Sequence, residues 1–348
     1  MDGTGSVAGR SGPPSEPLFL GAEIYRGSSY GPRHPLRVPR VSTVMDLCRA
    51  MGWLPAARYR TAPRARPAAL RLWHDPAYLA ALEAAEATGM VSDDVRRRFH
   101  IGTLSNPVFP QMFRRPATGA GGTMLAAERL RHGGAGPVAG GGADHGLPGR
   151  ANGFCYLNDV VLGILVLRRM GLSRIAYVDI DAHHCDGVEA AFADVPEVLM
   201  VSVHEEGRWP FSGRLTDAGC GNAFNLPVPA GFNDTEMRAG AEGLILPRGA
   251  AHRAGAVVLQ CGADGLSEDP LARLALSNNA HRAVLAGLRG LAPRLMVLGG
   301  GGYNPWTVGR LWSLIWADLA GQEAPEVPPD AAPAGLPARG WGGRGGPP

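Results

Sequence analysis

The sequence predicts an α/β protein with a mostly parallel central sheet, and three observations lead to that reading. Five short runs are apolar on both faces and end in polar or glycine clusters, as buried parallel strands do. Helical stretches alternate with them, which favours a sheet covered on both sides. No linker or repeat interrupts the chain between its two ends, so one domain is expected.

In chain order, residues 1–16 are Gly/Ser/Pro-rich and are expected to be a disordered tail. The first apolar run is LFLGAEI (18–24), followed by helical stretches at 41–52, 76–88, 119–132 and 158–170. RIAYVDIDAHH (174–184) and VLMVSVHE (198–205) come next, then a helix over 234–253. AVVLQCGAD (256–264), a helix over 271–290, RLMVLGGGGY (294–303) and a helix over 305–320 complete the domain, which is placed at 17–321. Residues 322–348 carry no packable pattern and are expected to be a second disordered tail.

The 348 residues are 45% hydrophobic, enough for a sizeable core, and only 19% charged. A formal net charge of +3 is too mild to imply a nucleic-acid partner. The five cysteines, Cys48, Cys155, Cys185, Cys220 and Cys261, are scattered and show no CxxC spacing. A disulfide framework or a Cys-rich zinc site is therefore not expected. The N-terminus has no apolar core of a secretory signal, and no apolar run reaches the ~20 residues that span a bilayer. A soluble, cytoplasmic protein without a membrane partner is expected.

Ligands of open α/β sheets bind beyond the carboxyl ends of the strands, and here those ends carry chemistry. VDIDAHHCD, QCGAD and GGGGY bring Asp, His and Tyr to one edge. Asp181 and His183 are two apart, so both side chains can point the same way, and Asp264 follows another strand end. One imidazole and two carboxylates suit a borderline divalent ion such as zinc, with the fourth position open for water as in a catalytic site. A lone DxH would be read as strand-end capping, but the ordered set favours the metal. Asp179 shares the strand face of the pair and could orient an imidazole or bind a second ion. His184 and Asp186 complete the cluster, with His184 equally readable as a buried structural histidine. Tyr303, after four glycines, would donate its hydroxyl to a polarised carbonyl oxygen. No Gly-Lys-Ser/Thr follows, so a phosphate loop is disfavoured.

These strings, with HPLRVPRV (34–41), WHDPAYL (73–79), NPVFPQM (106–112), GFCYLND (153–159), NLPVPAGFND (225–234), QCGADGLSEDPL (260–271) and LGGGGYNPW (298–306), resemble the histone-deacetylase superfamily. The likeness spans about 20–320 and looks nearest to the bacterial acetoin-utilisation branch. It implies a three-layer arginase/deacetylase fold and a zinc, or iron, held by Asp181, His183 and Asp264. His145 would be general base and then acid, with Asp186 on its other nitrogen and Asp144 beside it, while Tyr303 stabilises the transition state. Gly153, Phe154, Leu271 and Gly301 would line an acyl-lysine-type tunnel, with Trp209 or Phe211 opposite and Arg40 near an acetate exit. Backbone oxygens around Asp179, Asp181 and His183, with Ser202, would hold a structural potassium ion. Substrates would be acetylated lysine in protein or small acylated amines such as acetylpolyamines.

Three departures from the family pattern stand out. Asp144-His145 replaces two adjacent histidines, Cys185 replaces a glycine, and Ser105 stands where an acidic residue grips the substrate backbone. Asp144 bears on rate and Ser105 on peptide binding, so a deacetylase-like binding protein with weak or lost catalysis is the competing expectation. A dinuclear manganese ureohydrolase is disfavoured because DAHHCD has one residue more than Asp-Ala-His-x-Asp.

Overall fold

The computed structural model describes residues 16–325. Of the tails expected at 1–16 and 322–348, all but residue 16 and residues 322–325 lie outside the described residues. Eight strands form one sheet: β1 (Phe19–Gly21), β2 (Tyr59–Thr61), β3 (Gly134–Val138), β4 (Ile175–Asp179), β5 (Val198–Glu205), β6 (Ala223–Val228), β7 (Ala256–Gln260) and β8 (Arg294–Leu298). Their order is β2-β1-β3-β8-β7-β4-β5-β6, and every pairing is parallel.

Alternation along the inner strands divides the core into layers. Ala176, Val178, Val201, Val257, Leu259 and Val297 face one side, against the helices Arg40–Ala50, Asn278–Leu288 and Pro305–Ala320. Ile175, Tyr177, Met200, Val258, Met296 and Leu298 face the other, against Asp159–Arg169 and the end of Arg114–Arg129. A third cluster, including Tyr30, Tyr78, Phe109, Phe113 and Tyr156, packs beneath the loops that wall the site. Trp316, 1% exposed, typifies the first layer, and its indole N–H donates to Trp53 O at 2.9 Å. Truncating such a side chain costs about 3–5 kcal/mol.

All five expected strands are present, and β2, β3 and β6 are additional. The helix expected over 271–290 begins at Asn278, where Ser277 caps it through its hydroxyl, which accepts from Asn279 N. That leaves Leu271 free to face the site. The stretch 234–253 opens with a capping box between Asn233 and Glu236, then passes through a π turn at Ala241–Ile245. No helix among the described residues is long and apolar enough to cross a membrane.

Candidate active site

The ends of β8, β7 and β4, consecutive in the sheet, converge at one point. Beyond β4 the chain carries Asp181 and His183 before the helix Asp186–Phe192, beyond β7 it carries Asp264, and beyond β8 four glycines lead to Tyr303. His183 Nδ1 lies 3.1 Å from both Asp181 Oδ1 and Asp264 Oδ2. The three donor atoms lie within 4.8 Å of one another and all three residues are buried. Donors around tetrahedral zinc at 2.0–2.2 Å stand roughly 3.3–3.6 Å apart.

The carboxylates are pinned by backbone donors. His183 N–H donates to Asp181 Oδ1 at 2.9 Å, Gly301 N–H to Asp181 Oδ2 at 2.9 Å and Ala182 N–H to Asp264 Oδ1 at 3.0 Å. Glycine is needed at 301, because a Cβ there would stand 2.1 Å from Asp264 Oδ2. Burial raises the Asp264 carboxyl, and the charge of Asp181 raises it further. Asp181 is held low although burial opposes this, because His183 bonds and faces it. His183 is pushed well up, its burial outweighed by the two aspartates. Two buried carboxylates whose only ion-pair partner among the described residues is one histidine form a donor set that fits a divalent cation such as zinc.

The loop after β3 carries Asp144 and His145. Asp159, at the start of its helix, accepts from Gly142 N at 3.0 Å, Ala143 N at 2.7 Å and the Thr123 hydroxyl, while Asn158 Nδ2 donates to Asp144 O at 2.7 Å and Gly146 O at 3.0 Å. Gly300 N–H donates to Gly141 O at 3.0 Å and ties this loop to the one bearing Tyr303. His145 Nδ1 lies 2.7 Å from Asp186 Oδ1, so it carries the hydrogen and leaves Nε2 free. Asn152 Nδ2 steadies Asp186 Oδ2 at 2.8 Å. Burial alone would depress His145, but Asp144 and Asp186 overcome it and hold the imidazole at about 9. Burial, aided by the charges of Asp181 and Asp186 against that of His145, pushes Asp144 up to about 7.

Tyr303 N–H donates to Asp269 Oδ2 at 2.6 Å, and its ring stands 6.5 Å from that of His183. Burial, then Asp264 and Asp181, push its phenol well up, so it keeps its proton at neutral pH. An outer cavity of about 680 Å³ leads in, walled by Phe154, Trp209, Leu271 and Tyr303, with Ser105 and Phe211 also in its lining. Trp209 is the aromatic beside the site, 4.7 Å edge-on from His145, whereas Phe211 is 72% exposed. Gly153, at φ +52, admits Trp209, whose ring would stand 2.1 Å from a Cβ there. An inner chamber of about 90 Å³ shares His145, Gly153, Phe154 and Tyr303 with the outer cavity, and Gly301 and Arg40 line it. Arg40 Nη1 donates to Gly300 O at 3.1 Å and Gly302 O at 2.8 Å.

Two expectations are corrected by the geometry. His184 is not part of the reacting cluster: its Nδ1 lies 2.9 Å from Ser212 Oγ and its Nε2 3.0 Å from Glu189 Oε2, a buried structural arrangement. Asp179 orients no imidazole. It accepts from the Tyr177 hydroxyl and, at 2.9 Å, from Asp181 N–H. Ser202 pairs with Asp179 in the ladder, with its Oγ 2.9 Å from His204 Nδ1.

Several positioning residues escape a reading of motifs. Asn158 and Asp159 sit inside GFCYLND, where only their helix-start character hints at a role. Arg208 is held by both oxygens of Glu205 at 2.6 Å and donates to Leu271 O at 2.6 Å, so it fastens the Trp209 segment to the Leu271 wall. Arg115 lines the inner chamber from the helix Arg114–Arg129, with no motif to announce it.

Comparison with known proteins agrees with this geometry. The family model described as "Histone deacetylase domain" matches residues 34–319. A "Putative histone deacetylase 2" of Caenorhabditis elegans is 36% identical over 294 residues, covering 82% of this chain and 58% of the relative, so the chain spans little more than half that protein's length. "Acetoin utilization protein AcuC" of Bacillus subtilis is 31% identical over 90% of this chain and 84% of its own. The crystal structure of an HDAC homolog from Aquifex aeolicus superposes with a TM-score of 0.87 at 35% identity, covering 91% of this chain and 87% of that one. With a family match over most of its length and the same fold in a solved relative, this chain belongs to the histone deacetylase family.

Proposed function

We propose that the chain is a zinc-dependent deacylase that hydrolyses N-acyl amines, with residues 17–321 as its catalytic unit. The observation that carries this reading is the meeting of the Asp181–His183–Asp264 donor set, the His145–Asp186 pair and the Tyr303 phenol where the tunnel narrows. Zinc, or iron in its place, would supply a Lewis acid that polarises the amide carbonyl and makes water acidic. His145 Nε2 takes the proton of the attacking water and passes it to the leaving amine. Asp186 fixes the tautomer and stabilises the imidazolium. The Tyr303 hydroxyl donates to the carbonyl oxygen as charge develops there. Gly153, Phe154, Trp209 and Leu271 confine a linear chain and keep bulk water out, and Arg40 faces the released acid. Backbone oxygens near Asp179, Asp181 and His183, with Ser202, form a further site suited to potassium.

Acetylated lysine in protein and small acetylated amines are both substrates of the right shape, in the cytoplasm and without a nucleic-acid or membrane partner. The test is turnover of an N-acetyl-lysine reporter and of N-acetylpolyamines by protein whose metal content is measured on the same sample. All 34 basic side chains of this chain are arginines, so any lysine product comes from the substrate. A second reading, an acyl-amine binder with weak catalysis, is favoured by Asp144, whose Oδ2 has no hydrogen-bond partner. Tight binding of the reporter without turnover would select it.

A further inference from the structure

The inner chamber holds a second guanidinium. The helix Arg114–Arg129 is anchored at its start by Glu86, which accepts from Phe113 N at 2.7 Å and Arg114 N at 3.0 Å and pairs with the Arg114 side chain. Arg114 therefore turns outward and Arg115 inward. Arg115 is only 8% exposed and lines the chamber with Arg40, which is 9% exposed. Its guanidinium lies 4.9 Å from the ring centre of Tyr30 and 5.6 Å from that of Tyr25. Both phenols are spent on backbone oxygens, Tyr30 on Phe154 O at 3.0 Å and Tyr25 on Gly140 O at 3.4 Å.

Neither arginine is neutralised. Arg115 Nη1 and Arg40 Nε have no hydrogen-bond partner, and no carboxylate pairs with either guanidinium among the described residues. Arg40 is depressed first by burial and then, against the pull of Tyr303, by the charge of Arg115. Three acids also line the chamber, and each is engaged away from the two arginines. Asp159 accepts from Gly142 N, Ala143 N and the Thr123 hydroxyl, Asp181 belongs to the metal donor set, and Asp144 has Gln260 Nε2 at 3.4 Å and His145 Nε2 at 3.8 Å. Buried charges are ordinarily paired, so two close cations with unused donors call for an anion. The space is there, since about 90 Å³ is several times the roughly 10–15 Å³ that one water needs. An acetyl methyl would leave most of it unfilled.

We propose that this chamber reads a carboxylate at the far end of the acyl group, and that the preferred substrates are amines acylated by short dicarboxylic acids. The inference rests on the deacylase reading above, because a carbonyl placed between His145 and Tyr303 sends its acyl chain into the chamber. Hydrolysis is then balanced simply. The oxygen of water forms the new bond to the acyl carbon, the C–N bond breaks, the amine leaves protonated and a free dicarboxylate remains. Arg115 acts as a specificity residue that touches the acyl tail.

The test compares malonyl-, succinyl- and glutaryl-lysine reporters with neutral acyls of matching shape, isocaproyl for succinyl, on the metal-loaded full chain. Wild-type kcat/KM for the best carboxylated acyl should exceed that of its neutral match by about 10–100-fold, the worth of a charged hydrogen bond. Arg115→Met should collapse that ratio and Arg115→Lys should restore part of it. Calorimetry supplies a readout independent of turnover. Succinamate, which keeps the reacting carbonyl as an amide and carries the distal carboxylate, should bind the wild-type chain more tightly than neutral 4-methylpentanamide, with or without chelator, and Arg115→Met should erase the difference. Equal handling of charged and neutral acyls by the wild type, in turnover and in binding, overturns the proposal. If no amide of any kind is cleaved, the deacylase reading has failed, and calorimetry alone decides whether the chamber selects carboxylates.

Discussion

The carboxylate of Asp144 stands 3.8 Å from Nε2 of His145, the ring nitrogen that Asp186 leaves free. A negative charge there favours the imidazolium, and His145 is accordingly held at about 9 although burial opposes it. A base must be neutral to accept a proton, so activity should rise with pH toward that value. Asp144→Asn removes one of the two raising charges, and the acid limb of kcat/KM should move to lower pH. Asp144→His, which also removes the charge, should shift the limb the same way and raise kcat. Superimposable pH profiles of wild type and both variants would show that Asp144 has no influence on His145.

Tyr303→Phe deletes only the hydroxyl that, in the proposed mechanism, makes a hydrogen bond that strengthens as the oxyanion forms. Loss of one such donor costs about 10²–10³ in kcat. Circular dichroism and melting should be unchanged, because the backbone N–H of residue 303 still bonds Asp269. A variant with wild-type turnover would reduce Tyr303 to a packing residue.

Asp264→Ala should abolish activity and lower the metal retained after dialysis, as measured by elemental analysis. It removes one of three donors and also strips Ala182 N–H of its acceptor. Full metal content in this variant would refute the ligand assignment.

Gly153→Ala should close the tunnel without unfolding the protein. Its Cβ would collide with Trp209 at 2.1 Å, and φ +52 is unfavourable for alanine. The expected result is a fall of roughly tenfold or more in kcat/KM with bulky acyl-lysine reporters, relieved in part by Trp209→Ala. Additive losses in the double variant would disprove the clash.

Asp159→Ala should destabilise the chain by about 2–5 kcal/mol, because Gly142 N–H, Ala143 N–H and the Thr123 hydroxyl would all lose a buried acceptor. Thermal melting measures this. Activity should fall further than stability alone explains, since the same loop presents His145.

Much of this architecture is legible in the sequence because the inner strands are short apolar runs ending in reactive residues. The Asp181–His183 pair and Asp264 are readable for the same reason, since strand ends fix where such side chains point. The strands β2 and β6 are hidden by polar and proline positions (YRT and AFNLPV), and β3 (GAGPV) by its glycines and proline. The direction of His184 depends on Glu189 and Ser212, partners that only folding brings near. Asp179 looked like a partner for an imidazole, but the residue that would have supplied one is Asp144. The choice of Trp209 over Phe211 turns on the Arg208–Glu205 anchor. Arg115 has a neighbour, Arg114, identical in sequence and opposite in environment, and Glu86 decides between them.

The bond from Gly300 N–H to Gly141 O has a mechanical consequence. Backbone meets backbone there so closely that a Cβ on Gly142 would stand 2.5 Å from Gly300 N. The two loops therefore behave as one jaw, with His145, the proposed proton carrier, on one side and Tyr303, the proposed oxyanion donor, on the other. Any distortion of one is felt by both, so their mutual spacing is set like the gap of a fixed tool. The opposing wall, hung from Arg208 and carrying Trp209 and Leu271, is a separate part with its own fastening. Reshaping the mouth for a different amine can proceed on that wall while the jaw keeps its bite.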